Sequence, residues 1–209
     1  AAGVADNTIV IYTSDNGFFC GAHGYGSKVL PYEEGSRVPL IVYDPRHKNS
    51  GRQLRSAALT GNIDFAPTML ELAGVEVPAE MDGSSLMPLY DDPRAEIHES
   101  LTLVNAWGPL SAQSLSVVTK DWKYIYWPYG DKGMKPTEEM YHLKEDRLEL
   151  VNRAVKNQHP EVLKELRGVY DKAVRSWRNG AVDYNNYEPY GDYYDRSIPW
   201  KKKSDRLPK

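Results

Sequence analysis

The stretch from Thr8 to Arg37, TIVIYTSDNGFFCGAHGYGSKVLPYEEGSR, decides how this chain is read. An apolar β-branched run, Ile9-Val10-Ile11, gives way to Asp15-Asn16-Gly17. A glycine-rich loop follows, carrying His23 and then Lys28, before a second apolar run from Val38 to Tyr43. Continuous runs of this kind mark strands buried in parallel sheets, whose carboxyl ends are where open α/β folds bind ligands. A carboxylate and a carboxamide leaving that edge together suit a hard, oxygen-preferring cation. A lysine beyond them supplies a point positive charge for an anion. The pattern predicts half of a metal-plus-anion site. Taken singly, Asp-Asn-Gly is also ordinary turn chemistry, and most lysines are solvated surface groups.

Outward from this stretch, residues 1–95 read as α/β, with strands at Thr8–Ser14 and Val38–Tyr43 and a helix at Asn62–Ala73. In that helix Ala66, Met69, Leu70 and Ala73 share one apolar face, and Gly74 stands where a C-terminal glycine cap belongs. Asp91-Asp92-Pro93-Arg94 marks a boundary. Residues 96–180 then read as a small α+β unit, with short strands at Glu99–Val104, Leu115–Thr119, Lys123–Trp127 and Met140–Leu143. Their partner is a helix from Pro160 to Trp177, with Leu163, Leu166, Tyr170, Ala173, Val174 and Trp177 on one face. Residues 181–209, rich in Tyr, Asp and Asn, show no periodicity and are expected to form an extended tail.

Composition excludes several classes. With 26 basic and 29 acidic side chains in 209 residues, net −3, the chain has no nucleic-acid footprint. No apolar run approaches the roughly 18 residues of a membrane span. The single cysteine, Cys20, rules out an internal disulfide framework.

Beyond these properties, an ordered series of motifs resembles the C-terminal half of the calcium-dependent, formylglycine-type sulfatases of the alkaline phosphatase superfamily. It runs through Thr13-Ser14-Asp15-Asn16-Gly17, Gly21-Ala22-His23-Gly24, Lys28, Pro31-Tyr32-Glu33-Glu34 and Arg37-Val38-Pro39-Leu40. It continues at Asn62-Ile63-Asp64-Phe65-Ala66-Pro67-Thr68, Met81-Asp82-Gly83-Ser84-Ser85-Leu86, Trp122-Lys123-Tyr124-Ile125 and Met140-Tyr141-His142-Leu143. The family's N-terminal C-x-P-S-R or S-x-P-S-R nucleophile motif is not present, since Cys20 is followed by Gly21-Ala22-His23. The paired N-terminal aspartates are not present either. The resemblance therefore implies the C-terminal part of an alkaline phosphatase-like sandwich followed by a small α+β subdomain, in a polypeptide whose N-terminal half carries the nucleophile.

By the same resemblance, Asp15 and Asn16 are metal ligands for Ca2+. Lys28 is catalytic and contacts the sulfate group, and His23 binds substrate. The implied partner is a sulfated small molecule or carbohydrate, and the implied location is periplasmic or secreted. The 209 residues alone are expected to be inactive. Glu33 and Arg37 read as bracing residues, and His98, His142 and His159 as structural ones. Trp107 is the aromatic most suited to stacking on a sugar, whereas Tyr124–Tyr129 read as core. Two alternatives stand beside the sulfatase. One is a phosphonate monoester hydrolase or phosphodiesterase of the same superfamily, against which Asn16 counts, because zinc relatives often place a histidine there. The other is a non-catalytic carbohydrate-binding module.

Overall fold

A computed structural model describes residues 2–155, 158–182, 184, 186–205 and 207. Its elements in chain order are β1 (Val10–Tyr12), α1 (Glu33–Ser36), β2 (Ile41–Tyr43), α2 (Phe65–Leu72), α3 (Pro88–Asp91), β3 (Ser100–Asn105), β4 (Ser114–Thr119), β5 (Trp122–Trp127), β6 (Thr137–His142), α4 (Pro160–Gly180), α5 (Tyr190–Tyr194) and α6 (Trp200–Lys203). They fall into two units. One holds the chain up to Gly17 together with Arg37–Leu101; the other holds Phe18–Ser36 and the described residues from Thr102 onward.

In the first unit β1 pairs antiparallel with β2, Ile11 opposite Val42, in a two-stranded ladder. The expected buried parallel strands are corrected here. Side chains alternate across a strand, so Val10, Tyr12, Ile41 and Tyr43 share a face, and all four are exposed. Composition had identified strands correctly but said nothing about which neighbours cover them.

The predicted helix is a 3-10 turn at Asn62–Asp64 running into α2, and Gly74 supplies its left-handed cap at φ +70°. The predicted apolar face is also corrected: Ala66, Met69 and Ala73 are exposed, and Asp64, Pro67 and Thr68 are buried instead. Hydrogen bonds orient the helix that way. Asp64 Oδ2 accepts from Gly61 N–H at 2.8 Å, and Oδ1 from Ser84 N–H at 2.9 Å with His98 Nε2 at 2.7 Å. Thr68 Oγ1 donates to the Asp64 carbonyl at 2.6 Å and accepts Leu86 N–H at 2.9 Å. A buried polar group must find partners, and these fix the helix more firmly than its half-apolar outer face.

The second unit is built on a four-stranded antiparallel sheet, ordered β3-β4-β5-β6, close to the expected strands. On one face Leu115, Val117, Tyr124, Tyr126 and Met140 pack against Leu163, Leu166, Tyr170 and Val174 of α4. On the other face Ile125 and Tyr141 receive Phe19 and Tyr32 from the segment Phe18–Ser36. Glu138 is the polar centre of the α4 side, accepting bonds from Arg167, Arg196 and the Tyr124 hydroxyl. Burial opposes its charge, but these donors hold its carboxyl below the usual range.

The described part of the expected extended tail carries two short helices, α5 and α6; residues 183, 185, 206, 208 and 209 lie outside the described residues. Tyr193 and Tyr194 of α5 lie in the α4 core, and their hydroxyls donate to the Leu110 and Asn105 carbonyls at 2.9 Å. Arg178 ties α5 down through Asp192 and Asp195, each at 2.8 Å. No helical period shows in so short an element, whose anchors are phenols bonded to distant backbone.

Lys203 of α6 is also buried, with Nζ donating to Tyr126 Oη at 3.3 Å. Burial pushes its ammonium down to about 8, although Asp195 and Asp192 pull the other way. Between about pH 8 and 10 the unfolded chain therefore binds more protons, and stability rises with pH there, by on the order of 2 kcal/mol. Above that window the sign reverses. Burial raises the phenols of Tyr124, Tyr170 and Tyr194, so the unfolded chain loses protons that the folded chain keeps. Urea unfolding at pH 7.5, 9.5 and 11 should show this maximum, and Lys203→Met should remove the rise.

Candidate active-site segments

Asp15 and Asn16 follow β1 in the first unit. Asp15 is exposed; its Oδ1 accepts Asn16 N–H at 2.9 Å, and its carbonyl accepts Asn62 Nδ2 at 3.0 Å. Ser14 Oγ donates to the Asn16 carbonyl at 2.7 Å. These bonds shape the turn at the end of the strand. Among the described residues Asp15 has no cationic partner. A carboxylate beside a carboxamide is an oxygen-only donor set, which fits a hard cation and would fill part of the 6–8 positions calcium takes.

His23 and Lys28 lie in the segment that belongs to the second unit. Its tip is closed by Phe19 N–H to the Ser27 carbonyl at 3.0 Å and Gly21 N–H to the Tyr25 carbonyl at 2.8 Å. His23 takes a left-handed backbone, φ 51°, uncommon for a residue other than glycine. Its ring stacks on Tyr32 with centroids 4.3 Å apart, and its Nε2 lies 3.5 Å from Glu34 Oε2. Lys28 is exposed, with no carboxylate beside it among the described residues.

The segment turns back at Gly35, where an added Cβ would stand 2.6 Å from the Leu30 carbonyl oxygen and 3.0 Å from the Phe19 ring. Because the first obstacle is backbone, Gly35→Ala should cost about 1–3 kcal/mol in thermal or urea unfolding. A variant of unchanged stability would show that the turn tolerates a side chain.

Beneath the segment lies a charge network that sequence reasoning missed. Lys123, the second residue of β5, has a side chain 0% exposed. Its Nζ donates to Glu33 Oε1 at 2.8 Å and lies 3.0 Å from Glu149 Oε1. Glu149 Oε2 accepts Glu33 N–H at 2.6 Å. Burial pushes the Glu149 carboxyl up against the opposing pull of Lys123. Alongside, Tyr32 and Tyr141 both donate to Glu139 Oε2, at 2.9 and 3.0 Å. The available signal was a lone lysine inside the aromatic strand Trp122–Trp127; alternation then places Lys123 opposite the α4 face.

His23, Glu34 and Glu149 also bring a ring nitrogen and two carboxylate oxygens within 4.8 Å of one another. The Lys123 ammonium already balances Glu149, and a dication at the same oxygen would meet its repulsion. This cluster adjoins the Lys123–Glu33–Glu149 charge network and is assigned no cation.

The three histidines read as structural from the sequence, His98, His142 and His159, each have a neighbour to hold them. His98 bonds Asp64, and His142 and His159 pack edge-on against Trp122. Trp107 is 75% exposed, whereas Tyr124, Tyr126 and Tyr129 are buried.

Residues 21–176 match the family described as N-sulphoglucosamine sulphohydrolase, C-terminal. An N-acetylglucosamine-6-O-sulfatase of Bacteroides thetaiotaomicron is 35% identical over 188 residues, covering 87% of this chain and 32% of the relative. A solved structure of a protein in complex with its substrate D-glucosamine-2-N,6-O-disulfate matches at TM-score 0.75 and 33% identity, over 88% of this chain and 37% of that one. A structure of a 2-O GAG sulfatase matches at TM-score 0.72 and 25% identity, over 95% and 44%. The chain thus spans about a third of the length of the curated relative it matches. Motif order, profile and fold agree, and the chain belongs to the sulfatase family, as its N-sulphoglucosamine sulphohydrolase C-terminal region.

Proposed function

We propose that this chain is the C-terminal part of an enzyme that hydrolyses sulfate esters of sulfated carbohydrates. The observation that carries the proposal is a pair of uncompensated charges at the family's motif positions. Among the described residues Asp15 has no cation and Lys28 no anion beside it, and both stand at positions of the sulfatase motif series. The first unit is then the C-terminal portion of an alkaline phosphatase-like sandwich, and the exposed face of β1 and β2 is where the preceding part of the polypeptide packs. That preceding part would bring a formylglycine, which supplies the nucleophile. Export to the periplasm or outside the cell goes with polymeric sulfated substrates.

In this assignment Asp15 and Asn16 hold Ca2+, whose charge would draw on sulfate oxygens. Lys28 offers a fixed ammonium to the charge that develops on the transferring group. His23, held by the Tyr32 ring and Glu34, presents its other ring nitrogen to the substrate. The sulfated sugars for which these relatives are named, an N-acetylglucosamine 6-O-sulfate and a glucosamine 2-N,6-O-disulfate, favour a sulfated amino sugar.

The test is sulfate release by the full-length polypeptide from sulfated glucosamines, an aryl sulfate and a phosphonate monoester. Sulfated glucosamine should be turned over fastest. EDTA should lower the rate by ~100-fold and added Ca2+ should restore it. Faster turnover of the phosphonate would move the chain to the phosphonate hydrolases. Tight sugar binding without turnover, unaffected by EDTA and lost in Trp107→Ala, would make it a binding module.

A further inference from the structure

Residues 18–36 are flanked on both sides by the first unit, yet they belong to the second. What holds them there is one face of the sheet. Phe19 is 2% exposed and packs with Tyr32 on Ile125 and Tyr141. Tyr32 reaches Glu139 of β6 through its hydroxyl, at 2.9 Å. Among the described residues there, Lys123 and Glu149 have no solvent exposure and pair with each other, and both also bond Glu33, one at its carboxylate and one at its backbone N–H.

We propose that Lys123 and Glu149 are positioning residues, pinning α1 to the sheet so that the segment 18–36 presents Lys28 and His23 in one fixed arrangement. The assignment rests on the sulfatase reading for what Lys28 and His23 do, and on geometry alone for what holds them. Neither pinning residue touches the reacting atoms. A buried network of one ammonium and two carboxylates has few alternative arrangements, because a shift of α1 breaks two bonds at once, Lys123 Nζ to Glu33 Oε1 and Glu33 N–H to Glu149 Oε2. A purely apolar contact would tolerate sliding; the Lys123–Glu33–Glu149 triangle fixes register. The consequence for chemistry is positional. Lys28 lies five positions before Glu33, the first residue of α1, with only Val29, Leu30, Pro31 and Tyr32 between, so loosening α1 loosens the ammonium, and small misplacements of a catalytic group are costly in rate.

The experiment uses the full-length polypeptide with Lys123→Met, which keeps the volume of the stem, and Glu149→Gln, which keeps an acceptor for Glu33 N–H while removing the charge. Hydrogen exchange is followed by peptide, alongside kcat and KM for a sulfated glucosamine. Exchange in residues 18–36 should rise by at least ~10-fold in either variant, while peptides of α4 keep their protection. The kcat should fall by ~10-fold or more with a smaller change in KM. If Lys123→Met fails to fold, Glu149→Gln alone decides. Unchanged exchange in residues 18–36 overturns the proposal, and so does a uniform rise over the whole second unit, which would mean a general stability role. Because exchange is read without turnover, a polypeptide that lacks sulfatase activity but shows the local rise would retain the pinning and lose the sulfatase assignment.

Discussion

Replacing Lys28 by alanine in the full-length polypeptide is expected to lower kcat for sulfate release by about 10²–10³-fold, the range seen when one preorganised charge-stabilising group is removed. The structure adds a reason to expect the loss without unfolding. Lys28 is exposed and takes part in no ion pair among the described residues, so its truncation removes no packing and leaves no partner behind. Most surface substitutions of that kind change stability by less than about 0.5 kcal/mol. Steady-state kinetics with thermal unfolding on the same sample separate the two effects. A variant that keeps its rate would show that the ammonium is only a solvated surface charge, and would leave the anion half of the site without an owner. Lys28→Arg should recover only part of the rate, since the guanidinium fork places its charge differently from a compact ammonium.

Asp64→Ala is expected to be the most destabilising single change in the first unit, at about 3–5 kcal/mol, because it strands several buried hydrogen-bond donors at once. The carboxylate is fully buried and accepts from Gly61 N–H and Ser84 N–H, with His98 against the same Oδ1. Truncation would leave two backbone donors and an imidazole without their acceptor at once. These bonds join three stretches far apart in sequence, so the loss should appear as one cooperative drop in the urea midpoint. A change under about 1 kcal/mol would mean that water replaces the carboxylate readily. Asp64→Asn should fall between, since one of its two oxygens becomes a donor facing donors.

Much of this architecture was legible before any coordinates. The strands of the second unit and α4 followed from alternation and from the spacing of Leu163, Leu166, Tyr170 and Val174, because a self-contained sheet-and-helix layer writes its core into local periodicity. The first unit was harder. Ile9-Val10-Ile11 and the Ala66–Met69–Ala73 stripe are apolar in pattern yet lie partly or wholly open, since periodicity records which face is apolar and not which face is covered. Asp64 lay inside the expected helix, but nothing in the sequence marked it as buried, because a buried carboxylate is placed by donors from distant segments. Of the site, Asp15, Asn16, His23 and Lys28 were visible as chemistry in an ordered series of motifs. Lys123 and Glu149 were not, because 26 residues separate them from each other and about 90 separate Lys123 from Glu33. An ion pair between remote segments leaves no mark on the spacing of either.

The way the backbone passes between the two units bears on how chains of this family can recombine. It leaves the first unit after Gly17, returns at Arg37 and leaves again after Leu101. A recombination event that exchanged residues 18–36 by themselves would deliver a loop without the strands that seat it. The heritable cassette is the loop plus the antiparallel layer far downstream, so a crossover between relatives stays productive only when both stretches come from the same ancestor. A premature stop after Leu101 would silence the loop without touching one of its own residues.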